Sequence, residues 1–107
     1  MAEPMWIKVA EPGELADGSL KGVEAAGTAM VLACVGGRFS ALGARCPHAG
    51  GPLAQGTIES GFLVCPWHGR EFDLRTGACD GHAGIDSHPV QVREDGIYVT
   101  ISTPGAK

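Results

Sequence analysis

One segment, "RCPHAGGPLAQGTIESGFLVCPWHGREFDLRTG" (45–77), limits what this chain can fold into more than any other stretch. In it Cys46 stands two residues before His48, and Cys65 stands three residues before His68. Sixteen residues separate the two pairs, so each pair belongs to its own short loop. The intervening "GTIESGFLVC" reads as a hairpin that turns at Ser60-Gly61, with Ile58 before the turn and Phe62 and Val64 after it. Such a hairpin brings the two loops together. Gly50, Gly51, Gly56 and Gly69 permit tight backbone around a buried inorganic group. Pro47, Pro52 and Pro66 stiffen the loops and reduce the entropy lost on closing them.

Two sulfurs and two imidazoles suit two species. One is a structural zinc with Cys₂His₂ ligation, and the other is a [2Fe–2S] cluster with two Cys on one iron and two His on the other. Zinc fingers usually pair Cys with Cys and His with His, because one helix supplies both histidines. Here each pair is mixed, which suits two loops that clamp a binuclear group between them.

The flanking sequence predicts an all-β fold. Apolar runs are short and are broken by glycine or turn residues, the pattern of many short strands in a sandwich or barrel. "MWIKVA" (5–10), "LKGVEA", "TAMVLACV" and "RFSALGA" are candidate strands, and "EPGELADGS" is a loop. Ala26-Gly27 and Gly36-Gly37 are hairpin turns between strands. "HPVQVREDGIYVTIS" reads as a hairpin. Val90 and Val92 alternate before Asp95-Gly96, and Ile97, Val99 and Ile101 alternate after it. Pro89 suits the first residue of an edge strand. The terminal "TPGAK" is expected to fray.

A chain of 107 residues is one domain with a modest core, and six aromatic residues leave room for help from a metal. Four cysteines are too few for a disulfide-built secreted scaffold. No secretory signal or apolar run of spanning length is visible, so the expected location is a reducing cytoplasm, and paired Cys and His read as metal ligands. The net charge of −4 argues against a nucleic-acid footprint and gives no membrane signal. Cys34 sits in a strand pattern and is expected to be buried and inert. Cys79 is expected to be a partly exposed free thiol, and His82 and His88 are expected in surface loops. Trp67 either shields the site or docks a partner. Arg45, Arg70 and Glu71 are ordinary surface charges or part of a partner contact.

The spacing C-x-H, a long spacer, then C-x-x-H resembles the Rieske [2Fe–2S] proteins. The match extends to Gly69, Phe72-Asp73 and Thr76-Gly77, where such ferredoxins and oxygenase domains often read H-G-x-x-F-D-x-x-T-G. The resemblance implies a single Rieske domain over residues 1–107, a Rieske-like antiparallel β-sandwich or barrel with an inserted cluster-binding subdomain at about 45–77. It also implies one [2Fe–2S] cluster per chain, held by Cys46, His48, Cys65 and His68. Respiratory members carry a disulfide at the positions of Gly51 and Trp67. They also carry a Ser and a Tyr, at the positions of Arg70 and Phe72, that bond the cluster sulfurs. Their absence implies the low-potential ferredoxin type. Many relatives have a proline-rich covering loop after the T-G pair, whereas 78–88 here holds no proline. With two thiolates and two neutral imidazoles, the electron enters a less repulsive site than one with four thiolates.

The function so implied is a soluble one-electron carrier, a monomer and not an enzyme. It would pass electrons from a flavin-dependent reductase to a terminal oxygenase. The alternatives are an accessory protein like the small subunit of nitrite reductase, or a zinc-stabilised interaction module without redox chemistry.

Overall fold

The computed structural model describes residues 6–44, 52–67, 69–79, 81 and 84–100. Ten strands follow in chain order: β1 Ile7–Ala10, β2 Ser19–Ala25, β3 Thr28–Val35, β4 Arg38–Gly43, β5 Thr57–Glu59, β6 Phe62–Val64, β7 Glu71–Asp73, β8 Ser87–His88, β9 Val90–Arg93 and β10 Gly96–Val99. The described residues contain no α-helix; a single 3₁₀ turn at Leu53–Gln55 precedes β5. No helix among them is long and apolar enough to cross a membrane.

The strands form three antiparallel sheets, β1-β10-β9, β2-β3-β4-β8 and β5-β6-β7. The strand β3 explains how they stack. Its Met30 through Cys34 are all buried, which happens only when both faces of a strand are covered. Side chains alternate between faces. Met30 and Leu32 join Ala41, Ile97, Val99 and Ala10 in one core, under the β1-β10-β9 sheet. Val31 and Ala33 join Leu42, Leu53, Leu63 and Phe72 in a second core, under the β5-β6-β7 sheet. The register agrees, since Val31 faces Leu42 and Leu32 faces Ala41 across the β3–β4 ladder.

Turn chemistry sets the hairpins. Ala26 and Gly27 both have positive φ, as do Gly36 and Gly37, and Ser60 and Gly61. Two successive positive φ values match the twist of a two-residue hairpin loop. The first strand begins at Ile7, with Met5 outside the described residues, and its register shifts between Lys8 and Ala10. Arg93 pairs with Gly96, so the last hairpin turns at Glu94 and Asp95, one residue earlier than the sequence suggests. Pro89 is not the start of a strand; it separates β8 from β9. Ile101 and the terminal segment lie outside the described residues.

Two expectations about burial also need correction. Cys79 is buried at 8% exposure, not partly exposed, because it packs into the second core with Leu63 and Phe72. His88 is buried at 5% exposure and lies in a strand, not a surface loop, because β8 pairs with β4 through Ala41 and Leu42. His82 lies outside the described residues. Cys34 is buried as expected, and Cys34, Cys65 and Cys79 are all free thiols.

Candidate metal centre

Of the four predicted ligands, Cys65 is among the described residues; Cys46, His48 and His68 lie outside them, as do Arg45, Pro47, Gly50 and Gly51. The feet of both loops are described, and they converge. The first loop leaves β4 through Ala44 and returns at Leu53, whose N–H donates to Ala44 O at 3.0 Å. The second loop leaves β6 at Cys65. The Cys65 N–H donates to Arg70 O at 2.9 Å, and Gly69 N–H donates to Cys65 O at 3.0 Å. The β6–β7 ladder, which ends at Val64 and Glu71, therefore gains one more rung. Ala44, Leu53 and Cys65 all contact the second core, so one apolar base supports both loops.

The hairpin between the loops is held from below. Ile58 faces Leu63, and Leu63 faces Phe72, in one cross-strand row. Leu63 and Phe72 are fully buried, each contributing roughly 1.5–3 kcal/mol of burial free energy. Gly56 runs so close to β6 that an added Cβ would overlap Val64 O, one residue before Cys65.

The segment after β7 is a built turn. Asp73 Oδ1 accepts the Arg75 N–H at 2.7 Å, and Gly77 N–H donates to Asp73 O at 2.7 Å. Thr76 Oγ1 accepts the Ala78 N–H at 3.2 Å, and Asp73 N–H donates to Ala78 O at 2.8 Å. Gly77, at φ +80°, lies against Ile85 O, where a Cβ would not fit. Its carbonyl accepts the Ile85 N–H at 2.8 Å. The F-D-x-x-T-G stretch thus folds the following residues back, so that Cys79 and Ile85 close one side of the core that carries Cys65.

The Cys65 thiol is 2% exposed and has no disulfide partner, whereas Trp67, two residues on, is 56% exposed. Trp67 does not bury itself over the site; it faces solvent. Arg70 is half-buried and Glu71 exposed. His88 has its pKa held below the usual histidine value by burial, with the Asp86 carboxylate pulling the other way. Among the described residues no group of three or more His, Cys, Asp or Glu side chains could hold a metal ion. The donor set fits a thiolate-ligated cluster as far as it is described: a buried, unbridged sulfur on a closed loop, with a second closed loop rooted in the same core.

Residues 5–93 match the family profile described as "Rieske [2Fe-2S] domain". The chain is 30% identical to ferredoxin CarAc of Metapseudomonas resinovorans, over 89% of this chain and 92% of that protein. It is 39% identical to apoptosis-inducing factor 3 of Mus musculus over 82% of this chain, but spans only 15% of that protein's length. A chain in the solved complex of reduced oxygenase and oxidized ferredoxin in carbazole 1,9a-dioxygenase superposes with a TM-score of 0.83. It shares 26% identity, over 92% of this chain and 94% of that one.

Proposed function

Because the chain belongs to the Rieske [2Fe–2S] domain family, we propose that it is a one-electron carrier that delivers electrons to a terminal oxygenase and receives them from a flavin-dependent reductase. The observation that carries this reading is the pairing of a buried donor with an exposed neighbour. Cys65 is sealed in the core, and two residues later Trp67 stands in solvent. A carrier needs both a site closed to water and a short way out to a partner. A relative that matches almost end to end is named a ferredoxin, and the solved complex pairs a ferredoxin with an oxygenase.

Cys46, His48, Cys65 and His68 would hold the cluster, from a cluster-binding subdomain at 45–77 rooted on Ala44, Leu53 and Cys65. Bound there, a [2Fe–2S] cluster supplies one reversible electron, at a potential above that of an all-thiolate cluster. Cys65 would supply one thiolate, its backbone fixed by its N–H donating to Arg70 O and its carbonyl accepting the Gly69 N–H. Phe72, fully buried, offers no hydroxyl to a cluster sulfur, which keeps the potential low for the family. Trp67 presents an apolar surface on which a partner can dock.

The test is stopped-flow electron transfer from the reduced protein to a Rieske-type oxygenase. Trp67→Ala should lower the second-order rate about tenfold, the scale of an aromatic contact, and leave the potential unchanged. A Trp67→Ala protein that reacts at the full rate would remove the docking role. A wild-type protein that is reduced reversibly but never passes its electron on would remove the carrier reading.

A further inference from the structure

Gly56 ends the Leu53–Gln55 turn with φ −81° and ψ −158°, an extended backbone that does not itself call for glycine. Space does. An added Cβ would overlap Val64 O and stand 3.2 Å from both Leu53 O and Val64 C. All three atoms are backbone, so none can swing aside as the tip of a side chain would. Gly22, which packs on the same turn from β2, differs, because its Cβ would meet only Ala54 Cβ, at 3.2 Å. Gly61, at the far end of the β5–β6 hairpin, has nothing within 4 Å.

The two carbonyls beside Gly56 belong to different loops. Leu53 closes the first loop: its N–H donates to Ala44 O at 3.0 Å, and its carbonyl accepts the Gly56 N–H at 3.0 Å. Val64 leads into the second. Its carbonyl lies on the peptide that joins it to Cys65, and the N–H of that same peptide donates to Arg70 O at 2.9 Å. The peptide is trans, so its C=O and N–H point opposite ways. It is therefore held at both ends, by Gly56 on the β5 side and by Arg70 on the β7 side. Its plane sets where the Cys65 Cα stands, and hence where the thiol starts. Cys65 is 2% exposed, and a close-packed core leaves its side chain little room to correct a tilted backbone.

We propose that Gly56 is a positioning residue for the metal centre. Because it has no side chain, the return of the first loop lies directly on the peptide that carries Cys65, and this contact sets the separation of the two loop feet. The inference rests on the ligand assignment above, in which each loop supplies one thiolate. The separation of the feet then governs how the two thiolates meet the cluster.

The experiment compares wild type, Gly56→Ala and Ile97→Ala. Ile97 is buried in the other core, so its truncation removes stability without touching either loop. Each purified protein is read by the EPR spectrum of its reduced cluster, by its reduction midpoint and by the rate at which a chelator bleaches it, with urea denaturation alongside. Gly56→Ala should bleach about tenfold faster, the scale of a change just outside the ligands, with altered g values and a displaced midpoint. Ile97→Ala should keep the wild-type g values and midpoint, however much urea stability it loses. Gln55→Gly is a second arm that adds no atoms and decides the matter if Gly56→Ala does not fold. It loosens the same turn and should speed bleaching severalfold, whereas Gln91→Gly on β9 should not. Wild-type spectra and bleaching in Gly56→Ala, equal spectral shifts in Ile97→Ala, or equal bleaching by the two glutamine variants would each overturn the proposal. A Cys65→Ser protein that keeps its iron would instead remove the ligand assignment, and the proposal with it.

Discussion

Three of the four cysteines are in view, and each sits in a different chemical position. Cys34 is buried on a central strand. Cys65 and Cys79 share one core, yet only Cys65 stands at the mouth of a closed loop with a His at the ligand spacing. Cys79→Ser should therefore keep its iron while losing about 1–3 kcal/mol for a buried hydroxyl. Cys65→Ser should lose most of its iron, since serine is a harder and weaker ligand for a cluster iron. Iron analysis beside urea denaturation separates the two effects, and iron loss in Cys79→Ser would reverse the assignment. His88 allows a pH prediction. Burial lowers its pKa below 6.5, so the unfolded chain binds the proton more readily than the folded one. Stability then rises with pH across that window. The contribution is fully present above 6.5 and is lost as pH falls through the lower, folded value. The urea midpoint of the wild type should drop on mild acidification more than that of His88→Gln; equal drops would exclude His88 as the source.

At the scale of elements, the hairpins follow local rules. Successive turn residues between alternating strands announce β2–β3, β3–β4 and β5–β6, and the structure places all three turns there. The strands that escape sequence reading, β7 and β8, are three and two residues long, too short for any period to show. They exist because tertiary partners supply their ladders, Leu63 for Phe72 and Ala41 for His88. The same cause hid the burial of Cys79 and His88, whose environments come from distant chain. The spacing that proposes the ligands is visible in the sequence because ligand geometry is a local requirement; the shared apolar base under both loops was not, because Ala44, Leu53 and Cys65 come from separate elements. The Thr76-Gly77 turn is open to a direct test. Gly77→Ala meets both the φ of +80° and Ile85 O, and should cost about 2–4 kcal/mol. Gly37→Ala has the same φ but open space around it, and should cost about 1 kcal/mol. Equal costs in thermal or urea unfolding would mean that the packing of 76–79 against Ile85 is not what Gly77 serves.

The whole molecule divides its labour between layers. The central sheet is covered on both faces, and one of its two cores also roots the two loops that carry the proposed ligands. Stability and the proposed site thus rest on the same residues, with no α-helix among the described residues. Removing core volume should be felt at the site: Leu63→Ala should cost about 2–5 kcal/mol and lower the iron retained through purification. Full iron retention at that loss of stability would uncouple the core from the loops. The central claim is that a Rieske cluster in this frame shuttles single electrons. Spectroelectrochemical titration of the purified protein, with iron, sulfide and zinc measured on the same sample, tests it most directly. The account predicts two irons and two sulfides per chain and a red-brown spectrum that bleaches reversibly along a one-electron curve; a colourless protein with one zinc per chain, or a cluster that does not survive reduction and reoxidation, would contradict it.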